Sequence, residues 1–477
     1  MDKFLSAYKS TLFWLVLFLF VFIPLYPKFP LLNVKGTFVA IRAEDLMIAL
    51  TLGLWLIFII LSKKLKQTLT DNLVQSLLLF FLIGALSLFS AFFITHTIKS
   101  GLGFFHYLRR IELMMLMPVM ADVVIRRKQI NIILLTLSVV VVLVNIYAFG
   151  ERYLHWPLVS TTNSEFSKGL ILYLTPGARV NSTFAGHYDL AVFLVMVLTV
   201  ASAIFFTVKK IYLQIWLTVV GILSFIVLVM TAARQSFVAV VVGIIAALLL
   251  TGQKWFILLI LGITILALIY PSQLRDRFIS TIVVNFAGEG TRYTTTNANQ
   301  QNRAKLNIPT LPTQKIASKS ALVISTSTPI ATVASDIAPG EPIDTTELGV
   351  YRSFTIRTNL EWPRAIRAFS KNPLLGTGYS SIELATDNDF LRSLGEVGVL
   401  GTLALGFVLL VVLRRIWVTF KVSKDRFIKY LQAGILALIL AFVLNGAFID
   451  VFEASKVATL FWMILGIGLA VQKNELY

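Results

Sequence analysis

Apolar residues run through this chain in continuous blocks of about 20, not in alternation. Such windows fall near 11–27, 46–62, 74–94, 104–124, 130–149, 189–207, 212–230, 233–250, 255–271, 391–413, 430–449 and 456–472. About 20 residues in helix reach across the roughly 30 Å hydrocarbon layer of a bilayer. Outer-membrane barrel strands would show period-two alternation, which these blocks lack. The pattern therefore predicts an all-α integral membrane fold of about twelve transmembrane helices. Spans 1–9 lie within 1–271, a large outer-face loop covers 272–390, and spans 10–12 lie within 391–477. The first run, Thr11 to Tyr26, has no small-residue cleavage site and reads as a retained span.

The polar positions between the blocks give an orientation. With the N-terminus inside, every second loop is cytoplasmic. Those loops hold Lys63-Lys64-Leu65-Lys66, Arg126-Arg127-Lys128, Lys209-Lys210, Lys254, and the stretch Arg414 to Lys429; the N-terminal tail adds Lys3 and Lys9. All the basic clusters of the short loops fall on one side, as the retention of cytoplasmic cations requires. The expectation is a multi-pass protein of the cytoplasmic (inner) membrane with both termini cytoplasmic. Two outer loops are long, Gly150 to Tyr188 and Pro271 to Asn388. Within the second, residues 294–348 are rich in Thr, Ser, Pro, Asn, Gln and Ala without apolar periodicity, which predicts a disordered insertion.

Composition agrees with this picture and removes some alternatives. The chain is 57% hydrophobic and 14% charged, with mean hydropathy +0.82, against about 25% charged for a soluble domain. A net charge of +18 would suggest nucleic acid in a soluble protein. Here the cytoplasmic loops account for it, and no nucleic-acid partner is expected. There is no cysteine, hence no disulfide or thiolate chemistry, and the four histidines lack metal-ligand spacing. No metal and no cofactor are expected.

Cations on the other side are not explained by topology. Arg234, in Thr231-Ala232-Ala233-Arg234, lies at an outer turn just before a span. An arginine at mid-span costs about 2.5–3.5 kcal/mol and less near the interface. A cation beside a helix N-terminus makes an anion site, whereas the plain reading is a snorkelling interfacial side chain. Arg179 precedes another span, in Arg179-Val180-Asn181-Ser182-Thr183-Phe184. Arg352, Arg357, Arg364 and Arg367 gather before Lys371-Asn372-Pro373, where an amphipathic helix would also explain them. Guanidinium offers paired donors to phosphate, so several such segments on one side suggest a lipid-borne pyrophosphate. Arg109 and Glu112 are spaced for a helix pair. Asp387-Asn388-Asp389 opens the tenth span, where Asp and Asn favour helix capping. A carboxylate there could also take a proton from an acceptor hydroxyl. Glu396, inside the same span, is a functional candidate or the partner of a buried arginine. His187 is a further possible base or a polar interfacial partner.

The segment Asn372-Pro373-Leu374-Leu375-Gly376-Thr377-Gly378, followed by Asp387-Asn388 and Gly395-Glu396-Val397-Gly398-Val399-Leu400-Gly401, resembles the O-antigen ligase and polymerase superfamily. Arg357 with Trp362, Arg179 with Ser182-Thr183-Phe184, and the Thr231 to Arg234 turn are similar too, so the resemblance covers roughly 170–410 apart from the insertion. It implies a membrane glycosyltransferase of the GT-C type without cofactor. Such an enzyme moves a glycan from an undecaprenyl-pyrophosphate carrier to a glycan, lipid or protein hydroxyl at the outer face. By that resemblance Arg179 and Arg234 would hold the pyrophosphate. Together with the residue-level reading, the candidate set is Arg179, Arg234 and Arg357 for the pyrophosphate and Asp387 and Glu396 for catalysis, with His187, Asn388 and Arg352 as further candidates. The family's ligases have a histidine where this chain has Asp387, which leaves ligase, polymerase and other acceptors open. A lipid-glycan flippase and an inactive assembly relative are the alternatives.

Overall fold

The computed structural model describes residues 2–27, 29–33, 40–98, 101–158, 172–174, 178–282, 356–382 and 385–475. Arg352 and the insertion 294–348 lie outside the described residues. The chain divides into two compact units, one made of Met1–Arg277 with Ser353–Tyr477 and the other of Phe278–Arg352. In the second only Phe278–Ile282 is described, as the end of a helix.

The architecture is all-α. The helices are α1 (Asp2–Leu25), α2 (Ala43–Leu61), α3 (Leu65–Leu69), α4 (Asn72–Phe93), α5 (Leu102–Val123), α6 (Arg127–Tyr153), α7 (His187–Ile204), α8 (Ile211–Met230), α9 (Arg234–Thr251), α10 (Trp255–Ile269), α11 (Gln273–Ile282), α12 (Trp362–Lys371), α13 (Asp389–Val422), α14 (Arg426–Gly446) and α15 (Ser455–Glu475). Two short antiparallel pairs, Pro30–Asn33 with Ala40–Arg42 and Pro157–Leu158 with Leu172–Tyr173, stitch loop ends.

Every apolar window of the sequence lies on a helix, and ten helices among the described residues are long and apolar enough to cross a membrane. Two windows depart from the simple pattern. Helix α5 has 22 residues but carries Arg109, Arg110 and Glu112. Helix α10 has only 15 residues and is bent by 86° from α11 across Tyr270-Pro271-Ser272. Pro271 disfavours helical backbone at Tyr270, which is extended, so the helix stops there. The bent pair counted as one span makes eleven.

Burial sorts the helices into a centre and a rim. Helix α15 packs on α5, while α7, α9 and α14 pack on one another; α13 rests on α4 and α12. Small residues set the close approaches, as at Gly243 beside Thr199 and Ala441. Helix α10 has no buried residue, and Trp255 is 84% exposed with Leu258 and Leu266 exposed beside it. Each such side chain would lose roughly 1.5–3 kcal/mol of transfer energy in water. Lipid removes that cost, and the chain is a multi-pass membrane protein.

Candidate functional site

One end of the bundle gathers the C-terminal ends of α1, α6 and α14 with the N-terminal ends of α7, α9, α13 and α15. Three of the sequence-selected arginines meet there. Arg234 is the first residue of α9 and donates to the Arg277 carbonyl at 3.2 Å. The like charges of Arg357 and Arg179 both bear on it, as does the Tyr188 hydroxyl. Arg179 Nη1 lies 2.5 Å from His187 Nε2. Guanidinium nitrogens only donate, so Nε2 is the acceptor and His187 carries its proton on Nδ1. Arg277 bears on the same imidazole. Arg357 is buried and donates from Nε and Nη2 to Asp387 Oδ2 at 3.0 and 2.6 Å; it also bonds Tyr188 and reaches the Phe448 carbonyl at 3.5 Å.

Three non-glycine residues of these segments adopt the left-handed region: Ser182 (φ 51°) after Arg179, Ala232 (φ 51°) before Arg234, and Asp387 itself (φ 49°). Such backbone costs about 1–2 kcal/mol per residue and persists where its surroundings impose it. Around Ser182, Glu151 Oε2 of α6 accepts the Asn181 and Ser182 N–H groups at 3.0 and 2.7 Å. The Ser182 hydroxyl bonds the Val144 carbonyl. Lys456, fully buried at the start of α15, donates to the Thr183 carbonyl at 2.7 Å and the Pro24 carbonyl at 3.3 Å, over the Phe184 ring. At Ala232 a tight reversal joins α8 to α9, and the Thr231 hydroxyl bonds back to Leu228. It leaves Arg234 no linker in which to wander.

Asp387 is held by a reciprocal clamp. Asp450, in the loop after α14, accepts the Thr386 N–H at 2.8 Å and the Asn388 N–H at 3.1 Å. Asp389 in turn accepts the Val451 and Phe452 N–H groups at 2.8 and 3.2 Å. Arg392 Nη1 binds Asp450 at 2.6 Å, and Asn388 caps α13 through Phe390 and Leu391. Replacement of Asp450 by asparagine removes the charge opposite half-buried Arg392 and turns an amide donor toward a backbone donor. We expect Asp450→Asn to lower the unfolding temperature of the detergent-purified protein, by a loss of about 3 kcal/mol; an unchanged transition would show that the clamp is dispensable.

Behind the clamp the two glycine-rich motifs of the sequence lock together. Helix α13 breaks at Gly398 (φ 67°, ψ −171°), and the segment 373–378 fills the break. The Val399 and Leu400 N–H groups donate to the Pro373 and Leu374 carbonyls at 2.9 and 3.2 Å. The Thr377 and Gly378 N–H groups donate to the Gly395 and Glu396 carbonyls at 2.9 and 2.8 Å. The peptide groups freed by the break are thus satisfied by the loop. A Cβ at Gly376 would lie 2.4 Å from the Glu396 carbonyl, and one at Gly398 would lie 2.3 Å from the Leu374 oxygen.

Glu396 belongs to this inner layer. Its Oε1 accepts the Ser380 N–H at 3.2 Å and lies 3.4 Å from Arg392 Nε, an ion pair one helical turn back. It thus lies beneath the arginine group, held by Arg392 and the Ser380 backbone. Arg110 of α5 reaches across to the Phe452 carbonyl and Glu453. Burial works against an ionised Glu453, but Arg110 and Arg392 outweigh it and hold that carboxyl below the usual range. The sequence pairing of Arg109 with Glu112 is replaced by Arg109 with Asp45 of α2 at 2.9 Å, because the two helices pack side by side.

The structure thus brings Arg179, Arg234, Arg357, His187 and Asp387 to one place, sets Asn388 as a cap beside them, and places Glu396 in the layer beneath. Sequence reasoning passed over Tyr188, Arg277, Glu151, Asp450 and Lys456. Glu151 and Lys456 carried a signal, being charges that border apolar runs on the side opposite the basic loops. Among the described residues no group of His, Cys, Asp or Glu is arranged to hold a metal ion. No protein-family model matches the chain, and no curated protein does so.

Proposed function

We propose that this protein is an O-antigen ligase- or polymerase-like glycosyltransferase with about twelve spans and both termini in the cytoplasm. In this reading it works at the outer face of the cytoplasmic membrane. It passes a glycan from an undecaprenyl-pyrophosphate carrier to a hydroxyl of a glycan, lipid or protein acceptor. The observation that carries the reading is the convergence of Arg179, Arg234 and Arg357 from three segments far apart in the chain. Gathering like charges at a membrane interface is costly, and a bound diphosphate compensates it. The same donors neutralise the charge that develops on a departing pyrophosphate. Asp387 fixes the plane of the Arg357 guanidinium, so its donors are arranged before the substrate arrives.

A lipid-linked glycan flippase is the second reading. The observation in its favour is the broken helix at Gly398 beside buried Glu396 and half-buried Arg392 and Glu453, since broken spans and intramembrane charges recur in transporters. Purified protein given a lipid-pyrophosphate glycan separates the two. A transferase releases lipid pyrophosphate, with a ladder of products for a polymerase and a single addition to another acceptor for a ligase. Absence of release, with movement of the intact donor across vesicles, would rule out the transferase.

A further inference from the structure

The turn that carries Arg357 ends in a second carboxylate. Residues Arg357–Glu361 form a π-helical turn, closed by the Trp362 N–H on the Arg357 carbonyl. Such wide turns recur at functional sites. Glu361 is half-buried, and its Oε2 is buried without a hydrogen-bond partner among the described residues. The charged groups that face it are Asp387 and Asp450 from the clamp and Arg357 and Arg364 from its own segment. A buried carboxylate oxygen left unsatisfied costs about 1–3 kcal/mol or more. A donor brought by the substrate accounts for it. Asp387 stands differently. Its carboxyl is also pushed up by burial against the pull of Arg357, but its Oδ2 already accepts two guanidinium N–H groups.

We infer that Glu361 is the general base that accepts the proton of the acceptor hydroxyl, while Asp387 holds Arg357 on the diphosphate. The inference rests on the transferase reading. In the step, the hydroxyl oxygen forms a bond to the anomeric carbon as the bond from that carbon to the pyrophosphate oxygen breaks. The electron pair of the broken bond leaves with the lipid pyrophosphate beside the arginines. The hydroxyl proton passes to Glu361 Oε2 and from there to water. Burial pushes the Glu361 carboxyl up to about 7; Asp387 and Asp450 add to this, and Arg357 and Arg364 oppose it. A base works deprotonated, so turnover falls as the pH drops through that value.

The test is the reconstituted transfer assay on the parent, Glu361→Gln, Glu361→Asp and Asp387→Asn, read as kcat and donor KM from mildly acidic to mildly alkaline pH, with binding of the lipid-linked donor titrated separately. For Glu361→Gln we expect a kcat loss of about 10²–10⁴-fold, no acid limb, and donor binding as in the parent. Glu361→Asp recovers part of the rate. Asp387→Asn raises donor KM and keeps the acid limb. Parental kcat with the same acid limb in Glu361→Gln would overturn the base, and so would loss of donor binding together with turnover, which marks a structural role. A parent that releases no lipid pyrophosphate would overturn the transferase reading itself and the base with it.

Discussion

Replacement of Arg234 or Arg179 by alanine is expected to cut glycan transfer by about 10²–10³-fold in protein that still inserts into the membrane and purifies as a single species. The two arginines reach the site by different routes. Arg234 has no slack, because a tight reversal places it at the first position of α9. Arg179 depends on Glu151, Lys456 and the Ser182 hydroxyl to keep its loop in shape. Both bear on one place, so their losses do not add; the double variant should be little worse than either single one. His187→Ala is the informative companion. His187 accepts from Arg179 through Nε2, so its loss frees Arg179 to move without removing a charge, and a smaller effect follows. Glycan assembly at the parental level in Arg179→Ala and Arg234→Ala would refute a diphosphate role for this group.

Gly398→Ala is expected to be the most damaging single methyl group in the molecule. The φ and ψ of Gly398 fall where essentially only glycine resides, at a conformational cost of about 1–3 kcal/mol for any other residue. The added Cβ would also overlap the Leu374 carbonyl. Relief of that overlap moves segment 373–378 out of the break and strands backbone groups at membrane depth, each costing about 1–3 kcal/mol. Thermal unfolding in detergent should show the transition lowered or the folded species lost. Gly406→Ala, further along the same helix with open space at its Cβ, is the control; it should be neutral or slightly stabilising, since alanine favours helix over glycine by about 1 kcal/mol. Parental melting by Gly398→Ala would mean that the break is not built around that residue.

These two cases mark where sequence reasoning reached. Helices were legible because a bilayer demands about 20 apolar residues in a row, and the windows on α4, α8, α9 and α14 fall within a few residues of the observed ends. Arg179, Arg234 and Arg357 stood out because topology gave them no purpose. The inner layer was less legible. A motif such as Gly395 to Gly401 reads as a run of small residues on a helix, and nothing local states that its peptide groups pair with Pro373 to Gly378. Glu396 was conspicuous as a carboxylate within a span, but that it meets Arg392 and the Ser380 N–H was not legible there. Asp450 was overlooked because its two N–H donors belong to backbone some 60 residues earlier. Glu361 was hidden by the arginines around it, which made the segment read as one basic face.

Helix α15 is the most enclosed span of the bundle, with 94% of its apolar window buried, yet it follows all the others in the order of synthesis. The earlier helices must enter the membrane with its place still open between them. Until it arrives, the Arg179 loop lacks the Lys456 donor and α5 lacks its largest partner. Completion of the bundle and completion of the site are therefore one event. A chain stalled after α14 would leave a polar-edged groove open to lipid, with Glu151 and the Ser182 backbone in place but the Lys456 donor missing.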